Sequence, residues 1–152
     1  MTIFAENKKA RFDYEIIETY QAGIELTGSE VKSIRAGQIS LSGAYVTFHN
    51  TKAQLLNAHI SPYKFAGAKP DYDPTRSRAL LLHRREIKYL RGKSEEQGLT
   101  IVPLRVYSNN RLIKLEIAVA RGKKRFDKRE TIKKRDLNRE IRKNLKFGSD
   151  RL

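Results

Sequence analysis

The chain has no cysteine, no tryptophan and one methionine among 152 residues. Without cysteine there is no disulfide framework and no thiolate metal site. No apolar run approaches the ~18 residues that span a bilayer as a helix, and Met1 to Asn7 lacks the basic region and apolar stretch of a secretory signal. The expectation is a cytoplasmic chain with no membrane partner. Also missing are a glycine-rich phosphate loop, a nucleophile elbow and an HExxH pair. His49, His59 and His83 are the only histidines. Asp71 and Asp73 fall in a proline-bounded segment where a divalent ion could bind, although loop carboxylates are more often turn formers. The chain therefore reads as a binder, with no catalytic residue, metal or cofactor.

What is abundant is positive charge. The 32 Lys and Arg side chains outnumber 17 Asp and Glu, for a net charge of +15, the footprint of a protein that meets polyanions. Residues 121–152 hold 14 of the cations and 5 of the carboxylates, leaving 18 and 12 for residues 1–120. With 39% hydrophobic residues, a body of this size can remove ~60–70% of its unfolded surface from water. One domain over 1–120 followed by a basic tail over 121–152 is the simplest organisation.

Hydrophobic periodicity places short strands along the body. Tyr14, Ile16 and Tyr20 alternate with Glu15, Ile17 and Thr19, with Glu18 as the exception. A turn at Gln21-Ala22-Gly23 and a return through Ile24 and Leu26 would complete a hairpin. Thr27 and Glu30 have capping-box spacing, predicting a helix through Arg35 that ends at Gly37. Ala44, Val46 and Phe48 face one way in a second hairpin, with Leu56, Ala58 and Ile60 in its return strand and the turn over His49-Asn50-Thr51-Lys52. Residues 61–78, with Pro62, Gly67, Pro70 and Pro74, read as a long connection. Residues 79–90 contain Leu80, Leu81, Leu82, Ile87 and Leu90; Glu86 stands near the start of a helix that Gly92 should interrupt, and Gly98 should stop its short successor. Leu99 to Tyr107 and Leu112 to Ala120 form the clearest hairpin. Gly122 then follows the last strand. About six antiparallel strands with short flanking helices predict a mainly β fold, an OB-like barrel.

Two basic features stand outside this pattern. Lys8-Lys9-Ala10-Arg11-Phe12 combines cations with an aromatic ring, which suits phosphate contact and base stacking, and equally suits a solvated segment with Phe12 in the core. From Arg121 onward apolar residues thin out, although Leu137, Ile141 and Leu145 recur every fourth position and Glu130 can pair with Lys134. Such an arm is expected to be largely disordered alone and to order against a polyanion. A solvated tail and a membrane-surface helix are the competing readings, the latter disfavoured by the absent tryptophan and thin stripe.

Asn7-Lys8-Lys9-Ala10-Arg11 before Asp13-Tyr14, then Gly28-Ser29-Glu30-Val31-Lys32-Ser33-Ile34-Arg35-Ala36-Gly37, resemble the SsrA-binding (SmpB) protein family. So do Asp73-Pro74-Thr75-Arg76, Leu80-Leu81-Leu82-His83, Ala120-Arg121-Gly122-Lys123-Lys124 and Asp127-Lys128-Arg129, all in family order. The resemblance implies an OB-type barrel that binds the tRNA-like part of tmRNA, as a monomer, and brings it to stalled ribosomes. It implies RNA contacts at Asn7, Lys8, Lys9, Arg11, Gln21 and Leu81. Lys123, Lys124, Arg125, Asp127, Lys128, Arg129, Lys133, Lys134 and Arg135 would serve the small ribosomal subunit at its decoding centre and mRNA channel, where the tail is thought to become helical. Elongation factor Tu would be met indirectly, through tmRNA. Two positions depart from the family: Gln21 stands where Glu is common, and Phe12 where His is frequent. An amide donates as well as accepts, and the phenyl ring cannot be protonated.

Overall fold

The structure is a computed structural model that describes residues 1–65, 67, 71–123, 135, 137 and 139. The chain divides into two units after Gly122. In the first unit the elements run β1 (Thr2–Glu6), α1 (Lys8–Asp13), β2 (Tyr14–Ile24), α2 (Gly28–Arg35), β3 (Ile39–Ser40), β4 (Tyr45–His49), β5 (Lys52–Leu56), β6 (His59–Ile60), β7 (Arg78–Leu81), α3 (Arg84–Glu95), β8 (Leu99–Asn109) and β9 (Leu112–Gly122). Seven strands make one sheet in the order β1-β8-β9-β2-β7-β5-β4, and β3 pairs with β6 in a small ribbon.

The fold is mainly β, as expected, but the sheet is open. Its edge strands β1 and β4 are not neighbours; β1 is approached by β3 of the ribbon and β4 by β8. No barrel closes. Nine strands occur among the described residues rather than about six, because β3 and β6 are too short to carry a period and β1 lies at the terminus, where no second apolar run frames it.

Several boundaries move for identifiable reasons. Gln21-Ala22-Gly23 is not a turn; β2 runs straight through it, pairing with β9 and, at Gly23 and Ile24, with β7. A Cβ on Gly23 would lie 3.1 Å from the Leu81 Cβ, so this glycine admits a close neighbouring strand. Glu18 breaks the apolar period because its carboxylate accepts hydrogen bonds from the Tyr20 and Tyr89 hydroxyls at 3.0 and 2.8 Å. In the second hairpin the buried residues of the return strand are Ala53 and Leu55, opposite Phe48 and Val46. Asn57, at φ 65°, ends that strand before Ala58 and Ile60 are buried from β6. Leu80 and Leu81 lie in β7; α3 starts at Arg84, close to the expected start near Glu86, and passes through Gly92 without a break. The last hairpin turns at Asn110 and Arg111, both with positive φ, the backbone that a tight right-twisted hairpin needs. Its second strand extends through Arg121 and Gly122.

The β8–β9 hairpin is buried on both faces. Leu115, Ile117 and Val119 enter the main core with Ile34, Leu55, Ile60, Ile87 and Leu90. Ala118 and Ala120, at the alternate positions, join Val102, Leu104 and Ala10 of α1 in a second cluster.

Beside the main core lies a buried polar knot. The capping box of α2 forms as expected, Thr27 N–H donating to the Glu30 carboxylate at 3.0 Å and Glu30 N–H to the Thr27 hydroxyl at 3.2 Å. The same carboxylate is gripped by the guanidiniums of Arg76 and Arg78, the latter through Nε at 3.0 Å and Nη2 at 2.6 Å. Arg78 is 0% and Glu30 1% exposed. Arg78 also donates to the carbonyls of Ala58 and Pro74, and the Tyr72 hydroxyl, with one hydrogen to give, lies 2.9 Å from the Ile60 carbonyl and 3.2 Å from the Glu30 carboxylate. Burial alone would raise the Glu30 pKa; the hydrogen bonds from Arg76, Thr27 and Arg78 outweigh it and hold the group at about 2, below its ordinary 4.5.

A carboxyl whose pKa is lowered on folding lends stability that is complete above its unfolded pKa and is lost as pH falls towards the folded one. The Glu30 contribution is therefore present above pH 4.5 and drains away between 4.5 and about 2. Urea melts through that range should show a falling midpoint, and Glu30→Gln should be weaker at neutral pH with a shallower acid decline. Arg78→Met leaves the Glu30 charge buried with only Arg76 beside it and should cost about 3–5 kcal/mol in the same melts. Arg76→Met, whose native side chain is 35% exposed, should cost clearly less.

Candidate nucleic-acid interface

The basic opening is a six-residue helix. Asn7 caps it: its side-chain oxygen accepts from Ala10 N–H at 3.1 Å, and its amide nitrogen donates to the Pro103 carbonyl at 3.0 Å. The Asn7 backbone N–H donates to Leu104 O at 2.7 Å. Asn7 thus pins α1 to β8, and Ala10 is the one fully buried helical residue. Lys8 and Lys9 stand exposed in the first turn, the end of a helix where cations are least favoured. Helix stability gives no reason for them. Arg11 is exposed on the same helix, and Phe12 is half-buried, so the ring is neither a free stacking platform nor fully in the core. A depression beside the helix is lined by Asn7, Lys8, Lys9, Ser40 and Ser42.

Strand pairing carries this surface across the sheet. Arg11 reaches Glu116 of β9 at 3.6 Å, and Arg105 of β8 holds the other carboxylate oxygen at 3.1 Å. The Arg105 guanidinium lies 5.1 Å from the Tyr107 ring centroid. Glu116 is paired in register with Arg105 on one side and Gln21 on the other. The next row is Tyr107, Lys114, Gly23 and Leu81. Residues directly opposite one another in an antiparallel sheet share a face. Asn7, Lys8, Lys9, Arg11, Gln21 and Leu81, scattered over 75 positions of sequence, therefore belong to one side of the sheet.

Leu81 is 55% exposed while Leu80, its neighbour, is 4%: the strand sends alternate leucines to opposite faces. Leu81 packs on the bare backbone of Gly23, its Cδ1 within 3.3 Å of where a Cβ would stand. A sheet face with an exposed leucine, an amide and flanking cations offers apolar, hydrogen-bonding and ionic contacts together. Glu116, Arg105 and Lys114 were not among the expected site residues. The alternation of Lys114 and Glu116 with Leu115 and Ile117 was visible in the sequence; that their face carries α1 was not.

Asp73 accepts from the N–H and hydroxyl of Thr75 at 3.0 and 3.1 Å, a turn-forming role. Among the described residues no three His, Asp or Glu side chains gather to hold a metal, and no helix is long and apolar enough to cross a membrane. Of the expected arm residues, Lys123 and Arg135 are described; Arg135 is helical and exposed, as are Leu137 and Arg139. The positions Lys124, Arg125, Asp127, Lys128, Arg129, Lys133 and Lys134 lie outside the described residues.

The profile of the SmpB protein family matches residues 4–147. The chain belongs to that family. Among curated relatives, the SsrA-binding protein of Trichodesmium erythraeum is 54% identical over 144 residues, 95% of this chain and 92% of that one. The SsrA-binding protein of Pseudothermotoga lettingae is 54% identical over 149 residues, 97% and 99% of the two chains. Among solved structures, a chain described under "tmRNA-SmpB: a journey to the center of the bacterial ribosome" superposes with a TM-score of 0.66 at 47% identity, covering 84% of this chain and 92% of that one. The segment Asn7-Lys8-Lys9-Ala10-Arg11 is the cap and body of α1, and Asp73-Pro74-Thr75-Arg76 supplies the Pro74 carbonyl and the Arg76 guanidinium to the knot around Glu30 and Arg78.

Because Asn7 is a cap and a clamp, Asn7→Ala should destabilise the fold by about 1–2 kcal/mol. Asn7→Asp keeps the cap and loses only the donor to Pro103, so it should retain most of that stability. Thermal melts of both variants beside RNA affinity decide the role: affinity lost with an unchanged melt would make Asn7 a direct contact rather than a positioning residue.

Proposed function

We propose that this chain is a non-catalytic adaptor that binds the tRNA-like domain of tmRNA and delivers it to stalled ribosomes for trans-translation. The observation that carries the reading is the single sheet face on which α1 cations, Gln21 and Leu81 converge, in a chain whose relatives are SsrA-binding proteins. Phosphates fix position through Lys8, Lys9 and Arg11, while Gln21 and Leu81 supply polar and apolar contact to nucleotides. Gln21 can donate to a nucleotide acceptor where a carboxylate cannot. Glu116 offsets one of the two charges of Arg11 and Arg105 in the free protein, so the trio keeps a net positive charge beside Lys8 and Lys9.

The arm has a separate task. Lys123, Lys124, Arg125, Lys128, Arg129, Lys133, Lys134 and Arg135, with Asp127 among them, engage the decoding centre and mRNA channel of the small subunit. The adaptor works as a cytoplasmic monomer and meets elongation factor Tu only through tmRNA. Deleting residues from Glu130 onward should leave tmRNA affinity nearly unchanged and abolish peptide tagging on stalled ribosomes. Parallel loss of affinity and tagging would overturn this division of labour.

A further inference from the structure

The most exposed ring among the described residues belongs to none of the positions discussed above. Phe65, at the start of the long connection between β6 and β7, is 77% exposed. Its ring meets that of Tyr63 edge-on, centroids 5.6 Å apart at 69°. The Lys64 ammonium lies 5.7 Å from the Phe65 centroid and that of Lys32, on α2, 5.6 Å from the Tyr63 centroid. A single exposed apolar side chain needs no explanation. Two rings interleaved with two cations are a different object, because charge holds a phosphate while a ring offers its face to a base.

The connection is also firmly rooted. Ser33 of α2 donates to the Ser61 carbonyl at 2.6 Å, one residue from Lys32. The Ser61 N–H donates to Gln38 O at 3.0 Å. At the other end Arg78 holds the Pro74 carbonyl and the Tyr72 hydroxyl. The aromatic pair therefore leaves from a fixed corner of α2 and β6. Ile34 and Ile60 of those elements lie in the main core cluster, and Ala10 of α1 in the second. The elements that carry this corner thus pack on the main core, and α1 on the second cluster.

We infer that Tyr63 and Phe65, with Lys32 and Lys64, form a second nucleic-acid contact that takes an unpaired RNA base stacked on Phe65. The inference rests on the RNA-binding reading above and adds a second, separate contact. Charge complementarity selects RNA over an acidic peptide only in part; the ring selects a base, since a duplex keeps its base faces covered and a carboxylate has none.

The native chain has no tryptophan, so Phe65→Trp in the full-length protein places the only indole at the proposed contact. Its emission should be quenched by single-stranded oligoadenylate and by tmRNA, and little affected by an RNA duplex of equal length or by polyglutamate. Phe65→Leu should weaken oligoadenylate binding by about fivefold or more with an unchanged denaturation midpoint. Unquenched emission while anisotropy reports bound RNA, or equal quenching by duplex or polyglutamate, overturns the inference. The charge-reversed pair Lys8→Glu and Lys9→Glu keeps the two readings apart: tmRNA affinity unchanged in that variant removes the α1 surface, and the response at position 65 is then judged on its own.

Discussion

A buried carboxylate holds two guanidiniums, and the rest of the body is arranged around that choice. Glu30 and Arg78 are both sealed from water, and two desolvated charges are tolerated only when their partners satisfy nearly every donor and acceptor. Here the satisfaction comes from five places in the chain: the α2 cap at Thr27, the Ala58 carbonyl before β6, Tyr72 and Pro74 of the long connection, and Arg76 before β7. None of these segments can move far without stranding a charge. Hydrophobic residues of similar volume would give comparable stability, but would not fix the exit of the connection and the start of β7 relative to α2.

That fixed start of β7 has a consequence on the other side of the molecule. From Arg78 the strand alternates outward and inward, so Leu80 is sealed and Leu81 is presented. Gly23 lets β2 and β7 approach at this point, bringing Leu81 beside the row that contains Lys114 and Tyr107. Across the same face, α1 is kept as a short helix by Asn7 and Ala10 rather than by its own composition, since its first turn carries no acidic residue. This face is thus built by the scaffold: the sheet supplies spacing, Glu116 steadies the guanidiniums, and Lys8 and Lys9 stand exposed.

The cations at the two ends of the chain stand in different settings. Lys8 and Lys9 are held by a clamped helix on a rigid sheet, which gives them defined positions. Residues 121–152 concentrate 14 cations, and charge so concentrated acts at a distance before any contact forms.

Local chemistry in the sequence was enough for the mainly β character, the capping box at Thr27 and Glu30, the last hairpin, the charged arm and the family motifs, because each depends on neighbours within a few residues. It misread Gln21-Ala22-Gly23 as a turn and Gly92 as a helix breaker, since a glycine looks the same whether it bends the chain or admits a neighbouring strand. What only the tertiary structure decided is which residues share a face. The open sheet, the meeting of Arg11, Glu116, Gln21 and Leu81, and the sealing of Glu30 by Arg76 and Arg78 all join residues tens of positions apart, and strand register, which the sequence does not display, determines those encounters.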